Sequence, residues 1–205
     1  MLTNYLKRGY PENITSRAMT VRAINACNRW GYKNKLIPDY EVISGGNQYN
    51  RRTRVFSDEE LKMMFQHITP SDFNRFVKFA YYTGARLGEI KAIKPEHINE
   101  NSLLIDGKTG ERLLKLTQQA KDVLGTYEPW NYSTDYIEKR FRVNLNRLGI
   151  KGARFHDLRR TFGYNLIRQG RPIYEVSKLL GHSSVTTTER HYAPLLATEI
   201  EDFIL

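Results

Sequence analysis

The groups in this sequence best suited to chemistry are basic. His156-Asp157-Leu158-Arg159 sets a histidine and an arginine three positions apart, a spacing that puts both on one side of a helix. Aimed at one spot, such a pair suits a phosphate: the guanidinium forks onto two oxygens and the imidazole handles a proton. A surface pair near a helix start would read the same. Arg86, within Gly84-Ala85-Arg86-Leu87-Gly88-Glu89, stands where one helix gives way to the next. There it can face an anion or form an ordinary ion pair with Glu89. Lys108 lies in the turn Asp106-Gly107-Lys108-Thr109-Gly110, either reaching toward a groove or a leaving oxygen or simply exposed. His182, in Gly181-His182-Ser183-Ser184, follows a helix end, as a site group or as a capping or solvent-facing histidine. Tyr192 is one of 13 tyrosines, and nothing in its own chemistry sets it apart.

Two other chemistries find no support in the spacing. Gly107-Lys108-Thr109 resembles the end of a phosphate-binding P-loop, but that loop needs a glycine five residues earlier, where Ser102 stands, and a helix directly after the lysine. The five histidines show no HExxH spacing and no clustered carboxylates. No metal and no cofactor are expected.

The elements that must position these residues are mostly helical. Ser57-Asp58-Glu59-Glu60 matches a capping box, followed by Leu61, Met64, Phe65 and Ile68 at helical spacing. Phe73, Phe76, Val77 and Ala80 form a second stripe ending near Gly84, and a third helix runs from about Leu87 to before Pro95. Two apolar runs, Leu103–Ile105 and Leu113–Leu116, flank the glycine-bearing turn that holds Lys108 and read as a β-hairpin. Stripes at Ile137/Phe141/Leu145/Leu148, Leu158/Phe162/Leu166 and Ile173/Val176/Leu180 end at Gly149, Gly170 and Gly181. A short helix is expected over about 185–192, with Tyr192 at its end and free to move, and an apolar tail over 195–205. The fold class is therefore mostly α with a small antiparallel β-sheet.

Upstream, Val21, Ile24, Ala26 and Cys27 approximate a helical stripe, with Trp30 after it and Pro38 as a stop. The expected organisation is a small helical segment over 1–45, a basic linker over 46–55 carrying Arg51, Arg52 and Arg54, and a main domain over 56–205. The chain has 205 residues, with 32 lysines and arginines against 22 acidic residues, a net charge of +10. That balance favours a polyanionic partner, nucleic acid first, with a basic surface kept for solubility as the alternative. A single cysteine, Cys27, allows no internal disulfide or CxxC zinc pair. No apolar run approaches a membrane span, and the start MLTNYLKRGY lacks a signal peptide's apolar stretch. The expectation is an intracellular protein with no membrane partner.

Taken in order, the stretches TGARLGEI, LLIDGKTGERLLKL, HDLRRTFGYNLIRQG and IYEVSKLLGHSSVTTTERHY resemble the catalytic domain of the tyrosine recombinases, the phage-integrase family, over about residues 55–192. The resemblance implies that Arg86 and Arg159 clamp the non-bridging oxygens of a scissile phosphate and that Lys108 protonates the 5′-oxygen leaving group. It gives His156 the proton of the attacking phenol, His182 a hydrogen bond to the phosphate, and Tyr192 the role of nucleophile. It further implies double-stranded DNA as substrate and a homo-tetramer on paired sites, with the tail docking on a neighbouring protomer. Accessory DNA-bending proteins and the cytoplasm of a prokaryotic host complete the picture, in integration or excision of a phage or mobile element. The segment over 1–45 departs from the pattern, being about half a usual core-binding domain; a truncated chain and a minimal enzyme both fit. The rival readings are a type IB topoisomerase, whose small forms lack the HxLR and LLGHSS boxes, and a non-catalytic DNA-binding accessory factor.

Overall fold

The computed structural model describes residues 14–46, 52–107, 110–125 and 130–196. Lys108, part of the expected linker and most of the tail lie outside the described residues. The chain divides into two compact units, Met1–Arg52 and Thr53–Leu205.

In the first unit, helix α1 (Ile14–Lys33) buries Ala18, Val21 and Gly31. The stripe anticipated here holds only in part: Ile24 is half-buried, whereas Ala26, Cys27 and Trp30 are exposed. Asn25 ties down the segment after the helix, accepting from the Ile43 N–H and donating to the Ile43 carbonyl, both at 2.9 Å.

The second unit begins as its capping signal dictates. Helix α2 (Asp58–His67) starts at Ser57, whose hydroxyl accepts the Glu60 N–H while Glu60 accepts the Ser57 N–H. Helix α3 (Ser71–Thr83) buries Phe73, Phe76, Val77, Phe79 and Ala80. A tight left-handed residue, Gly84, ends it, and the short α4 (Leu87–Lys91) follows. Strands β1 (Ser102–Gly107) and β2 (Gly110–Lys115) form one antiparallel hairpin, in the register Leu103↔Leu114 and Ile105↔Arg112. Period-two alternation turns Leu103, Ile105 and Leu114 into the core and leaves Leu113 exposed. Helices α5 (Gln118–Leu124), α6 (Thr134–Arg147), α7 (Asp157–Arg168), α8 (Ile173–Leu180) and α9 (Val185–Leu196) complete the described residues.

The main core is aromatic. Phe76 stacks on Phe155 at 5.5 Å between ring centroids, and Phe141 meets Phe155 edge-on at 5.3 Å. A smaller cluster joins Tyr164 of α7, Val176 and Leu180 of α8, and Tyr192 of α9. Two sequence expectations change here. Helix α9 runs on to Leu196 with Pro194 inside it, so Tyr192 lies in its body and not at its end. His156 is the residue before α7, not part of its first turn. No helix among the described residues is long and apolar enough to cross a membrane.

Candidate active site

Two arginines meet where two helices end. Arg159, on α7, is 5% exposed. Its two terminal nitrogens donate to the Gly84 carbonyl, which closes α3, at 2.6 Å, and to the Leu180 carbonyl, the last of α8, at 2.5 Å. Arg86, just before α4, donates to the Gly181 carbonyl at 3.0 Å. Helix C-termini carry partial negative charge and orphan carbonyls. The ends of α3 and α8 therefore offer the desolvated guanidinium groups the partners that a buried cation requires. Burial, with Arg86 and Arg112 nearby and Glu89 opposing them, lowers Arg159 to about 10, which still leaves it charged at neutral pH.

The backbone at these ends is set by local sequence. Gly84 adopts φ +58°, and a side chain there would run into the Phe162 ring, with a Cβ only 2.3 Å from Cδ1. Gly84 thus turns the chain out of α3, makes room for α7 and presents its carbonyl to Arg159. At the end of α8, the Gly181 N–H bonds to the Lys178 carbonyl and the His182 N–H to the Ser177 carbonyl, a Schellman closure that fixes His182 directly after the helix.

Arg86 is anchored by Glu89, which is 2% exposed and accepts from the Arg86 backbone N–H and its guanidinium, both at 2.7 Å. Burial works to raise the Glu89 carboxyl, but hydrogen bonds and charge from Arg112 and Arg86 outweigh it and leave the group below its ordinary value. The Arg86–Glu89 pair, weighed in the sequence against a phosphate role, exists and aims Arg86 at the same place as Arg159.

Two histidines lie within the field of these arginines. His182 is half-buried, and its Nδ1 lies 2.8 Å from the hydroxyl of Thr188. Desolvation, then the charges of Arg159 and Arg86, push it down to about 4. His156 keeps an exposed surface. Desolvation, then Arg159 and Arg160, push it to about 4 as well. Both rings are neutral near pH 7, the state in which a histidine can accept a proton. Arg160 is held at the edge by Asp157, which is 1% exposed.

Tyr192 is 3% exposed. It lies one helical turn beyond Thr188, so the His182 partner and the phenol share a face of α9. Its hydroxyl rests against Gly163 of α7, where an added Cβ would stand 2.2 Å from the phenol oxygen. Burial pushes the phenol up to about 12, while Arg159 and Arg160 pull it down. The structure thus brings Arg86, Arg159 and His182 together, sets His156 beside them and keeps Tyr192 stowed within the field of Arg159. Sequence reading missed Thr188, Gly163 and Arg112. Gly163 and Arg112 have no local signal, because each acts through a residue distant in the chain, whereas Thr188 stands six positions after its partner His182.

The sequence profile of the phage integrase family matches residues 128–199, the stretch holding His156, Arg159, His182 and Tyr192. Tyrosine recombinase XerC of Staphylococcus saprophyticus is 27% identical over 92% of this chain and 74% of its own length. A lambda integrase dimer bound to a COC′ core site superposes with a TM-score of 0.73 at 19% identity, over 100% of this chain and 65% of that one. A lambda integrase tetramer bound to a Holliday junction gives 0.69 at 20% identity, over 90% and 62%. With the helical fold, the hairpin and the ordered boxes of basic residues, these matches make residues 128–199 similar to the phage integrase family and the chain as a whole similar to the tyrosine recombinases.

Proposed function

We infer that this chain cuts and rejoins double-stranded DNA at specific sites through a covalent 3′-phosphotyrosine on Tyr192. The observation that carries this reading is the convergence of Arg86 and Arg159 on the ends of α3 and α8. Each guanidinium has five N–H donors and spends two on the contacts described here, which leaves others for phosphate oxygens. In the five-coordinate transition state, negative charge gathers on the non-bridging oxygens, and fixed cations that need no reorganisation stabilise it.

The steps balance without an energy source. The Tyr192 oxygen attacks the phosphorus, its proton passes to His156, and the bond to the 5′-oxygen breaks. Lys108 protonates that oxygen in the role the resemblance gives it. A 5′-hydroxyl from another strand then attacks the phosphotyrosine and reverses the exchange, so no nucleotide is consumed. Burial pushes the stowed phenol up to about 12, so it is protonated at pH 7 and a poor nucleophile where it rests. Tyr192 must therefore leave its pocket and approach both base and arginines. The DNA-bound dimer and tetramer among the structural neighbours support duplex DNA as partner and a homo-tetramer as the working assembly. Docking of the tail over 195–205 on a neighbouring protomer, help from DNA-bending proteins, action in a prokaryotic cytoplasm and service to a phage or mobile element belong to the same reading.

The test is a pool of nicked duplexes of randomised sequence, in which the short cleaved fragment diffuses away. The unaltered chain accumulates a covalent protein–DNA adduct, in EDTA as in magnesium, and Tyr192→Phe does not. An adduct that needs magnesium, or that survives Tyr192→Phe, would overturn the mechanism.

A further inference from the structure

Arg112 lies on β2, opposite Ile105 in the hairpin register and therefore on the face that Leu103 and Leu114 turn into the protein. A charged side chain on such a face needs partners, and Arg112 makes three hydrogen bonds to two residues. Its Nη2 and Nε reach the two oxygens of Glu89 at 3.0 and 3.4 Å, and its Nη1 donates to the Leu179 carbonyl at 3.0 Å. The guanidinium also covers Gly181, where a Cβ would stand 2.4 Å from Nε. One side chain thus spans the hairpin, the start of α4 and the end of α8.

Those three elements carry the phosphate machinery. Glu89 fixes Arg86, the end of α8 supplies the carbonyls that hold Arg86 and Arg159, and His182 follows it directly. In the sequence Lys108 stands between β1 and β2. Resting on the recombinase reading above, we propose that Arg112 is a positioning residue for strand cleavage, setting Arg86 through Glu89 and locking the hairpin to the end of α8. It acts through these neighbours and not on the phosphate itself. Its charge also contributes to the field that lowers Arg159 and His182.

Lysine cannot substitute fully. An ammonium is a point charge and does not fork onto a carboxylate while reaching a carbonyl on its far side. The test measures single-turnover adduct formation at saturating DNA for Arg112→Lys and Arg112→Ala. Two substrates are compared, one with a native scissile phosphate and one with a methylphosphonate there, whose lost charge reduces the demand on Arg86. On the native phosphate Arg112→Ala falls about 10- to 100-fold in rate with DNA affinity unchanged, and Arg112→Lys lies between it and the unaltered chain. On the methylphosphonate both deficits shrink several-fold. Equal deficits on the two substrates would mean a merely structural role, and no deficit would mean no role; either overturns the proposal. If Arg112→Ala does not fold, Arg112→Lys decides by the same comparison. The unaltered chain separates the two levels of inference: without any adduct from it, the recombinase reading itself fails.

Discussion

Neutral imidazoles and a protonated phenol describe the resting site near pH 7, with His156 and His182 pushed to about 4 and Tyr192 to about 12. A phosphate seated between Arg86 and Arg159 would cancel much of the positive field at both histidines. Their pKa values should then rise on binding DNA, by about one pH unit or more, in an NMR titration of the imidazole C–H signals; no movement would mean that the phosphate sits elsewhere. The same depression sets a pH dependence of stability. Between the ordinary histidine value of 6.5 and the folded value of about 4, the unfolded chain binds more protons than the folded one. Stability therefore falls as pH drops through that window and is highest above it. Thermal melts from pH 7 to 4 should show this slope, and His182→Gln should reduce it, leaving the share that His156 contributes. At Arg159, replacement by alanine strips the Gly84 and Leu180 carbonyls of their donor and removes a transition-state cation. Cleavage should drop by about 10²–10³ in single-turnover rate, and an unchanged rate would remove Arg159 from the site. The spacing of His156 and Arg159 and the Arg86–Glu89 pair were readable from the sequence because they are local. The carbonyls that hold Arg159 were not, since they come from 75 and 21 positions away.

Helices α7 and α9 meet where Tyr192 rests on Gly163. Alanine at 163 would favour the helix by about 1 kcal/mol on propensity alone. Here its methyl group collides with the phenol at 2.2 Å, and overpacking of this kind costs about 1–3 kcal/mol. Gly163→Ala should lower the melting temperature, and the titration of Tyr192, read as the difference from the same variant carrying Tyr192→Phe, should shift from about 12 toward ordinary phenol values. A variant as stable as the parent, with the high phenol value intact, would mean that the two helices can part without cost. Caps and periodicity made most elements of this unit legible: Ser57 opens α2, Gly84 and Gly181 close α3 and α8, and the apolar runs on each side of Lys108 form β1 and β2. The extent of α9 was not legible, because Pro194 reads as a stop and the helix carries it. Nor was the stowing of Tyr192, which depends on a missing Cβ on another helix.

Across the chain, the order of the boxes carried what no single box could. Among 13 tyrosines, Tyr192 was chosen by its place after His182, and the fold brings that position beside the arginines. The partition of the chain was harder to read, since the first unit has few buried residues to mark it: of the expected stripe in α1, only Val21 is fully covered among the described residues. Ending the chain at Leu196 should leave cleavage by single protomers intact and reduce two-site recombination, measured as exchanged duplexes on gels. Equal yields of exchange would argue against a tail that links protomers. Supercoil relaxation without any two-site product would favour the topoisomerase alternative. The most direct measurement is the chemistry of the covalent adduct itself. After trimming its DNA with nuclease and digesting its protein, mass spectrometry should find a nucleotide joined through its 3′-phosphate to Tyr192, and a linkage at another tyrosine or to a 5′-phosphate would contradict this mechanism.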